Sequence, residues 1–460
     1  MDARGYGWAV SRSGRMDEVT APFPEARTPV PGAVSISSEV GTMSELPLRA
    51  QFAAALGKGA ATLSRATGRG DGSVIGGRIA LKVEPDLLTQ LARDKRLTLV
   101  SATNGKTTTT RLIASALREL GDVATNEHGA NMPTGHITAL SNSPEARFGV
   151  LEVDEKYLPL VLQQSQAEFV VLLNLSRDQM DRASEINLLA KKWREALAKT
   201  DTRVIANADD PLVAWAGLGA HHATWVSAGQ RWKEDSWCCP ECGGHLKREP
   251  EPHWECPECG LRRPEATWEV DNSVDVVTAP DGQRLHLQLN LPGDANRANA
   301  AIAMATAAAY GIRPDQALPR LRQIQSVAGR YTSIVTNGVE VRLLLAKNPA
   351  GWLESFAVLD PPRVPVILSV NAQIPDGKDT SWLWDVDYTV LRDRRVFIMG
   401  ERRTDLALRL ETDEVAFEVA TRVDEVVARL KAEQPDITKV DVIANYTAFQ
   451  QIRTAYGRVQ

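Results

Sequence analysis

No run in the sequence is apolar for long enough to cross a bilayer, and the N-terminal region has no secretory hydrophobic segment. Positive charge is not in excess either: 53 Lys and Arg stand against 58 Asp and Glu, giving a net charge of −5 and a pI near 5.9. These absences argue against an integral membrane protein and a general nucleic-acid binder, and point to a cytoplasmic chain. Cysteine is scarce, with five in 460 residues, and without an export signal those thiols are expected to be reduced. Residues 1–44 lack hydrophobic periodicity and carry Pro22, Pro24, Pro29 and Pro31. They read as a disordered extension, with Met43 as an alternative start. The remaining length has room for two or three domains.

Four of the cysteines form two knuckles, Cys239-Pro240-Glu241-Cys242 and Cys256-Pro257-Glu258-Cys259, separated by thirteen residues. That is the spacing of a tetrahedral four-cysteine zinc ribbon, expected over 236–262. Gly243, Gly244 and Gly260 let backbone amides turn toward the thiolates. Four thiolates fill the coordination shell, so the metal is structural. A ribbon this small has almost no apolar core, and metal binding supplies its folding energy, on the order of 10 kcal/mol. Disulfides are the alternative reading. Cys238 is the odd thiol and reads as a bystander.

A glycine is missing where the commonest phosphate loop needs one, since position 100 is Val. What stands there is still a phosphate loop. Leu97 to Val100 reads as a buried strand, and Ser101-Ala102-Thr103-Asn104-Gly105-Lys106-Thr107-Thr108-Thr109-Thr110 follows it. Leu112, Ile113, Ala116, Leu117 and Leu120 then mark a helix face that stops at Gly121. Strand, tight turn and helix N-terminus bring unpaired N–H groups and a dipole end to one point, an anion site. Lys106 adds a charge suited to a β/γ-phosphate, and Thr107 places a hydroxyl where nucleotide-bound Mg2+ sits.

Beyond the loop, apolar runs at Phe148–Val153, Phe169–Leu175 and Arg203–Ala206 alternate with helical segments such as Ser184–Lys199. The alternation predicts an α/β fold with a parallel sheet and ligands at the strands' carboxyl ends. Helices are expected at Asn296–Tyr310 and through Leu321. A second α/β unit is expected from Tyr331, with strands Val339–Leu345, Val364–Val370 and Val396–Met399 and helices Arg402–Leu410 and Val423–Lys431.

The loop resembles the G-T-N-G-K-T-T loop of the Mur ligase superfamily, with Ala102 in place of the first glycine. Five further segments fall in the same order. Gly149-Val150-Leu151-Glu152-Val153-Asp154-Glu155 resembles the segment whose first glutamate binds Mg2+, which implies Glu152, with Asp154 or Glu155 assisting. Asn174-Leu175-Ser176-Arg177-Asp178-Gln179-Met180-Asp181-Arg182 is similar to N-L-x-x-D-H-x-D-R. Gln179 replaces the histidine there, and an amide is the weaker ligand, which leaves a second metal ion open. Asn207-Ala208-Asp209-Asp210-Pro211 and Gly293-Asp294-Ala295-Asn296-Arg297-Ala298-Asn299 are similar to the family's nucleotide-side loops, and Gly329-Arg330 to the pair that closes the domain. The resemblance implies an ATP site of Thr103, Asn104, Gly105, Lys106, Thr107, Thr108, Asn207, Asp209, Asn296, Asn299 and Arg330, with Mg2+ on Thr107 and Glu152. It also implies a central ATPase domain over 45–330, interrupted by the ribbon, and a Rossmann-like α/β domain over 331–460.

Two more absences narrow the family. The D-Y-A-H-x-P segment that opens the third domain of amino-acid-adding members is replaced by Leu345-Ala346-Lys347-Asn348-Pro349-Ala350-Gly351. No segment before residue 90 is large enough for a UDP-sugar domain. With the ribbon, Asp376-Gly377-Lys378-Asp379-Thr380-Ser381-Trp382-Leu383-Trp384-Asp385, Met399 to Arg409 and Asn445-Tyr446-Thr447-Ala448, residues 46–457 resemble the MurT family. These are the synthetase subunits of lipid II isoglutaminyl synthase. The resemblance implies ATP-dependent amidation of the α-carboxyl of D-glutamate in the lipid II stem peptide, through an acyl phosphate, in peptidoglycan synthesis. Ammonia requires a glutaminase, and no nucleophile elbow surrounds Cys238. The family resemblance implies a GatD-type class I glutaminase partner, with an aspartate of the C-terminal domain orienting the partner's catalytic histidine. That role falls to Asp376, with Asp379 as the alternative. The competing readings are a ligase joining a free amino acid to a carboxylate, as folylpolyglutamate-type enzymes do, and a non-enzymatic zinc-ribbon ATPase module.

Overall fold

A computed structural model describes residues 46–66, 73–126, 129–178, 185–250, 252–325, 331–360 and 364–456. Three helices come first, α1 (Leu48–Ala66), α2 (Ser73–Val83) and α3 (Leu87–Ala92). Strand and helix then alternate: β1 (Arg96–Ser101), α4 (Lys106–Leu117), β2 (Val123–Thr125), α5 (Pro133–Asn142), β3 (Phe148–Glu152) and α6 (Leu158–Ser165). They continue with β4 (Phe169–Leu172), α7 (Ile186–Leu197), β5 (Arg203–Asn207), α8 (Pro211–Gly217) and β6 (Ala223–Ser227). After the ribbon come β7 (Trp268–Asp271), β8 (Val276–Thr278), β9 (Arg284–His286), α9 (Asp294–Ala309) and α10 (Pro314–Arg322).

The nine strands form one sheet in the order β2-β3-β1-β4-β5-β6-β7-β8-β9. Pairing is parallel from β2 to β7, and β8 and β9 add an antiparallel edge that the sequence pattern did not announce. Both faces of the parallel part are covered, which is why its strands read as continuous apolar runs. Leu97 and Leu99 of β1 face a core shared with α5, α6, α7 and α8, while Val100 faces α4, α9 and α10. From β1 the chain winds to one side through β2 and β3, then crosses to β4 on the other side. The carboxyl end of β1 is therefore at a topological switch point, where a crevice opens.

The second sheet is built from β10 (Tyr331–Thr336), β11 (Val339–Leu345), β12 (Val366–Ser369), β13 (Val396–Met399), β14 (Phe417–Val419) and β15 (Lys439–Ala444). Its order is β10-β11-β15-β12-β13-β14, parallel apart from the β10–β11 hairpin. Asn337 and Gly338, at φ 50° and 73°, form the hairpin turn, which needs left-handed backbone at both positions. Helices α11 (Pro349–Ala357) and α12 (Arg403–Thr412) cover one face, and α13 (Val423–Glu433) and α14 (Tyr446–Tyr456) the other.

The four-cysteine insertion follows β6. Each knuckle turns on a left-handed glycine, Gly243 or Gly260, whose N–H donates to the carbonyl of Cys239 or Cys256 at 2.9 and 3.0 Å. Short bridges pair Cys238 with His245 and Glu255 with both Lys247 and Arg262.

Candidate active site

The turn after β1 is held from two sides. Asn174, just past β4, accepts from Asn104 N at 2.9 Å and donates to Asn104 O at 3.0 Å. Thr103 Oγ1 donates to Ser176 O at 3.1 Å and accepts from Ser176 N at 3.0 Å. Gly105 sits at φ 89° and caps α4, and a Cβ there would fall 2.9 Å from Asn299 Oδ1. Glycine is required here for both its backbone angle and the close approach of α9.

In the first turn of α4 the predicted polar groups converge. Thr107 Oγ1 donates to Glu152 Oε2 at 2.8 Å. Lys106 is buried and folded back on its loop, bonded to Ala102 O, to Thr103 O at 3.3 Å and to Glu155 Oε2 at 3.2 Å. Behind Glu152, Asn126 Oδ1 accepts from its N–H at 2.8 Å, and His136 Nε2 donates to its carbonyl at 2.8 Å. His136 is fully buried, and burial holds its pKa down at about 4. The ring is thus neutral, fixed as the Nε2–H tautomer by the carbonyl it meets.

A cavity of about 430 Å³ opens beside the loop, within the size range of small-ligand sites. Asn104, Gly105, Asn174, Asn207, Asn299 and Glu354 are among its lining residues. Of the residues expected on the nucleotide side, Asn299 and Asn207 reach it. Asn207 also orders its rim, donating to Gly229 O at 2.9 Å and accepting from Asp209 N at 3.0 Å. The Asn296 amide donates to Pro292 O at 2.6 Å, tying the first turn of α9 to the chain just before it. Asp209 accepts from Gly229 N at 2.6 Å and pairs with Arg263 at 2.6 Å, so both its oxygens hold the rim. Asp210 caps α8 through Leu212 N and Val213 N, and burial pushes its carboxyl up to about 6. Gln179, Asp181 and Arg330 lie outside the described residues.

The Cys239, Cys242, Cys256 and Cys259 sulfurs all lie within 4.8 Å of one another, with Cys239–Cys259 at 3.6 Å and Cys242–Cys256 at 3.5 Å. A tetrahedron of thiolates at a Zn–S distance of about 2.3 Å has edges of about 3.8 Å. The cluster could therefore hold a metal ion with little rearrangement. Sequence reasoning did not foresee what the ribbon leans on. Trp254 Nε1 donates to Ala208 O at 3.0 Å, Trp215 Nε1 to Glu241 at 2.6 Å, and Arg263 to Asp209. The ribbon thus props up the loop that rims the cavity.

Other groups that sequence reasoning passed over join the two sheets. Asn348 caps α11 through Gly351 N at 2.9 Å, and its amide pairs with that of Asn104 at 3.1 and 3.3 Å. Lys347 pairs with Asp178, Arg177 with Asp385 at 3.3 Å, and Arg231 with Glu354 at 3.4 Å. An Asn-Pro pair at a helix start is a readable cap signal. Its partner 244 residues away is not.

The two candidate aspartates differ sharply. Asp376 is buried at the start of α14, where Thr447 N donates to it at 2.8 Å and Thr447 Oγ1 donates as well. Gln373 N adds a third bond at 3.2 Å. Asp379 is exposed, and the Ser381 N–H beside it, at 2.8 Å, holds its carboxyl below the usual range.

A phosphate-type loop at the switch point of a parallel sheet, faced by a second α/β unit across a crevice, is the architecture of Mur-type ligases. The fold is similar to that of a pseudomurein peptide ligase type C from Methanothermus fervidus, with a TM-score of 0.62 and 19% identity over 81% of this chain and 80% of the other. It is also similar to MurF from Thermotoga maritima in complex with ADP, with a TM-score of 0.56 and 14% identity over 82% and 83%. The Mur ligase middle domain matches residues 100–237, and the MurT ligase C-terminal domain matches residues 345–449. A Staphylococcus aureus protein, lipid II isoglutaminyl synthase (glutamine-hydrolyzing) subunit MurT, is 32% identical over 425 residues, covering 85% of this chain and 94% of that one. The chain belongs to the MurT family.

Proposed function

We propose that this chain is the synthetase subunit of a glutamine-dependent amidoligase, converting the α-carboxyl of D-glutamate in the lipid II stem peptide to the amide with ATP. The observation that carries the reading is the meeting of Thr107 and Glu152 at 2.8 Å, one residue from Lys106, beside a nucleotide-sized cavity, in a chain of this family. The cavity beside Asn207 and Asn299 receives the base and ribose, and the phosphates run along the α4 N-terminus.

Thr107 and Glu152 offer oxygen donors that suit Mg2+, which when bound offsets the charge of the nucleotide phosphates. Lys106 exchanges Glu155 for phosphate oxygens and stabilises charge as the phosphoryl group transfers to the substrate carboxylate. The acyl phosphate supplies a leaving group that a carboxylate lacks, and ammonia displaces it.

Ammonia comes from a GatD-type class I glutaminase, consistent with a relative named as one subunit of a glutamine-hydrolyzing synthase. The buried, triply bonded Asp376 is spent on the α14 cap, so Asp379 is the carboxylate that a partner's histidine can reach. The four cysteines hold a structural zinc ion. Among the described residues no helix is long and apolar enough to cross a membrane, and we place the complex at the cytoplasmic side of the bilayer.

The test is reconstitution with the glutaminase, glutamine, ATP and lipid II in detergent. Lys106→Ala should lower amidation at least a hundredfold while circular dichroism stays unchanged, as for loss of one charge-stabilising group at a transition state. Near-normal turnover by a folded variant would remove the phosphate loop from the reaction.

A further inference from the structure

Helices α1 and α2 are apolar on the wrong side. Their packed faces are made of small residues: Ala50, Ala53, Ala54, Ala61 and Ala80 are buried. The helices touch at Gly57 and Gly76, where a Cβ on either would fall 2.9 or 2.6 Å from the other's carbonyl oxygen. The large apolar side chains point outward instead. Leu48 is 83% exposed, Phe52 60%, Val74 47% and Ile75 41%, with Leu56 and Ile79 exposed beside them. A solvated helix carries its charges on that face and its large apolar groups inside.

The charge on these helices is one-sided as well. Their sequences carry Arg49, Lys58, Arg65, Arg78 and Lys82 and no Asp or Glu, in a chain whose acids outnumber its bases. Arg49 lies 3.5 Å from Glu84, just beyond the end of α2, while Arg78 and Lys82 are exposed one turn apart on α2 itself. Large outward apolar groups among basic residues on a helix without acids are the signature of an interfacial helix on an anionic bilayer. A second copy of the same surface would set like charges against each other.

We infer that the α1–α2 pair docks the protein on anionic membrane lipid. The inference rests on the proposed function only for the reason a bilayer is near: the substrate is a lipid. Both helices pack on α5, whose His136 supports Glu152, so docking holds the catalytic crevice at the surface that presents the substrate.

The experiment is flotation of the full-length chain, in complex with its glutaminase, on vesicles of phosphatidylcholine alone or mixed with phosphatidylglycerol. Binding is expected on the mixed vesicles and should weaken with salt. Leu48→Ser/Phe52→Ser and Arg78→Glu/Lys82→Glu should each lower the bound fraction about tenfold or more, because all four sites are exposed. Amidation of detergent-solubilised lipid II should be unchanged in both. Wild-type protein that ignores anionic vesicles, or variants that float like wild type, would overturn the inference. So would light scattering that finds a wild-type dimer split by Leu48→Ser/Phe52→Ser, or loss of the glutaminase from either variant. Failure of amidation with flotation intact would instead count against the proposed reaction.

Discussion

At the scale of single residues, the site depends on groups placed by backbone contacts rather than by charge alone. His136 is the clearest case, a neutral ring wedged under the carbonyl of Glu152. Its folded pKa of about 4 lies below the ordinary 6.5, so between these values the unfolded chain binds a proton that the folded one refuses. The stability this ring contributes is therefore fully present above pH 6.5 and is lost as pH falls toward 4. Relative to His136→Gln, the wild type should lose about 2–3 kcal/mol between pH 7 and 4.5, read from denaturation midpoints. Asp210, raised to about 6 by burial, titrates in the opposite sense, but it does so in both proteins and cancels from the difference. For the aspartate pair, Asp379→Asn should cut glutamine-dependent amidation by up to roughly 10⁴-fold, as for loss of an orienting carboxylate, and spare amidation driven by ammonium. Asp376→Asn should instead cost about 1–2 kcal/mol of stability by weakening the α14 cap, with both ammonia sources affected alike. Equal loss from both sources in Asp379→Asn would assign that residue to the synthetase chemistry.

At the scale of elements, the ribbon is tied to the cavity rim and is more than a self-contained insertion. Ala208 and Asp209, on which Trp254 and Arg263 rest, flank the Asn207 turn. Protein purified without added zinc should carry one ion per chain. Removing it by Cys239→Ser, or with a strong chelator, should raise the KM for ATP severalfold while kcat falls less, since the ribbon stands beside the cavity and away from Lys106. An unchanged KM in metal-free protein would show that the rim holds its shape without the ribbon.

For the whole molecule, the crevice is spanned by a few polar contacts, and these decide how the two sheets meet. Lys347 reaches from the second unit to Oδ2 of Asp178, a carboxylate whose Oδ1 is buried with no hydrogen-bond partner among the described residues. The Asn104–Asn348 amide pair ties α11 to the phosphate loop itself. Lys347→Met should leave Asp178 facing the crevice uncompensated and loosen the two units. Limited proteolysis between them should quicken severalfold, and ATP should slow it again in proportion to occupancy. A cleavage rate like that of wild type would mean that the other cross-contacts suffice.

Much of this architecture is written in local sequence. Strand Val396–Met399 is bounded in the structure as its apolar run suggests, because a strand buried on both faces is largely apolar. Val339–Leu345 keeps its expected bounds although it carries Glu340 and a buried Arg342 that pairs with Asp441 at 2.7 Å. The loop at Thr103–Lys106 and the two cysteine knuckles are equally legible, since each is a short backbone turn whose chemistry lies within a few residues. What tertiary structure alone decided are the pairings between distant segments. They include Asn104 with Asn348, the ribbon against the Asn207 turn, His136 beneath Glu152, and the inward turn of Asp376 that leaves Asp379 outside. A hydrogen bond between side chains leaves no periodic trace in the sequence. Its partners become known only when the sheets bring them within about 3 Å of each other.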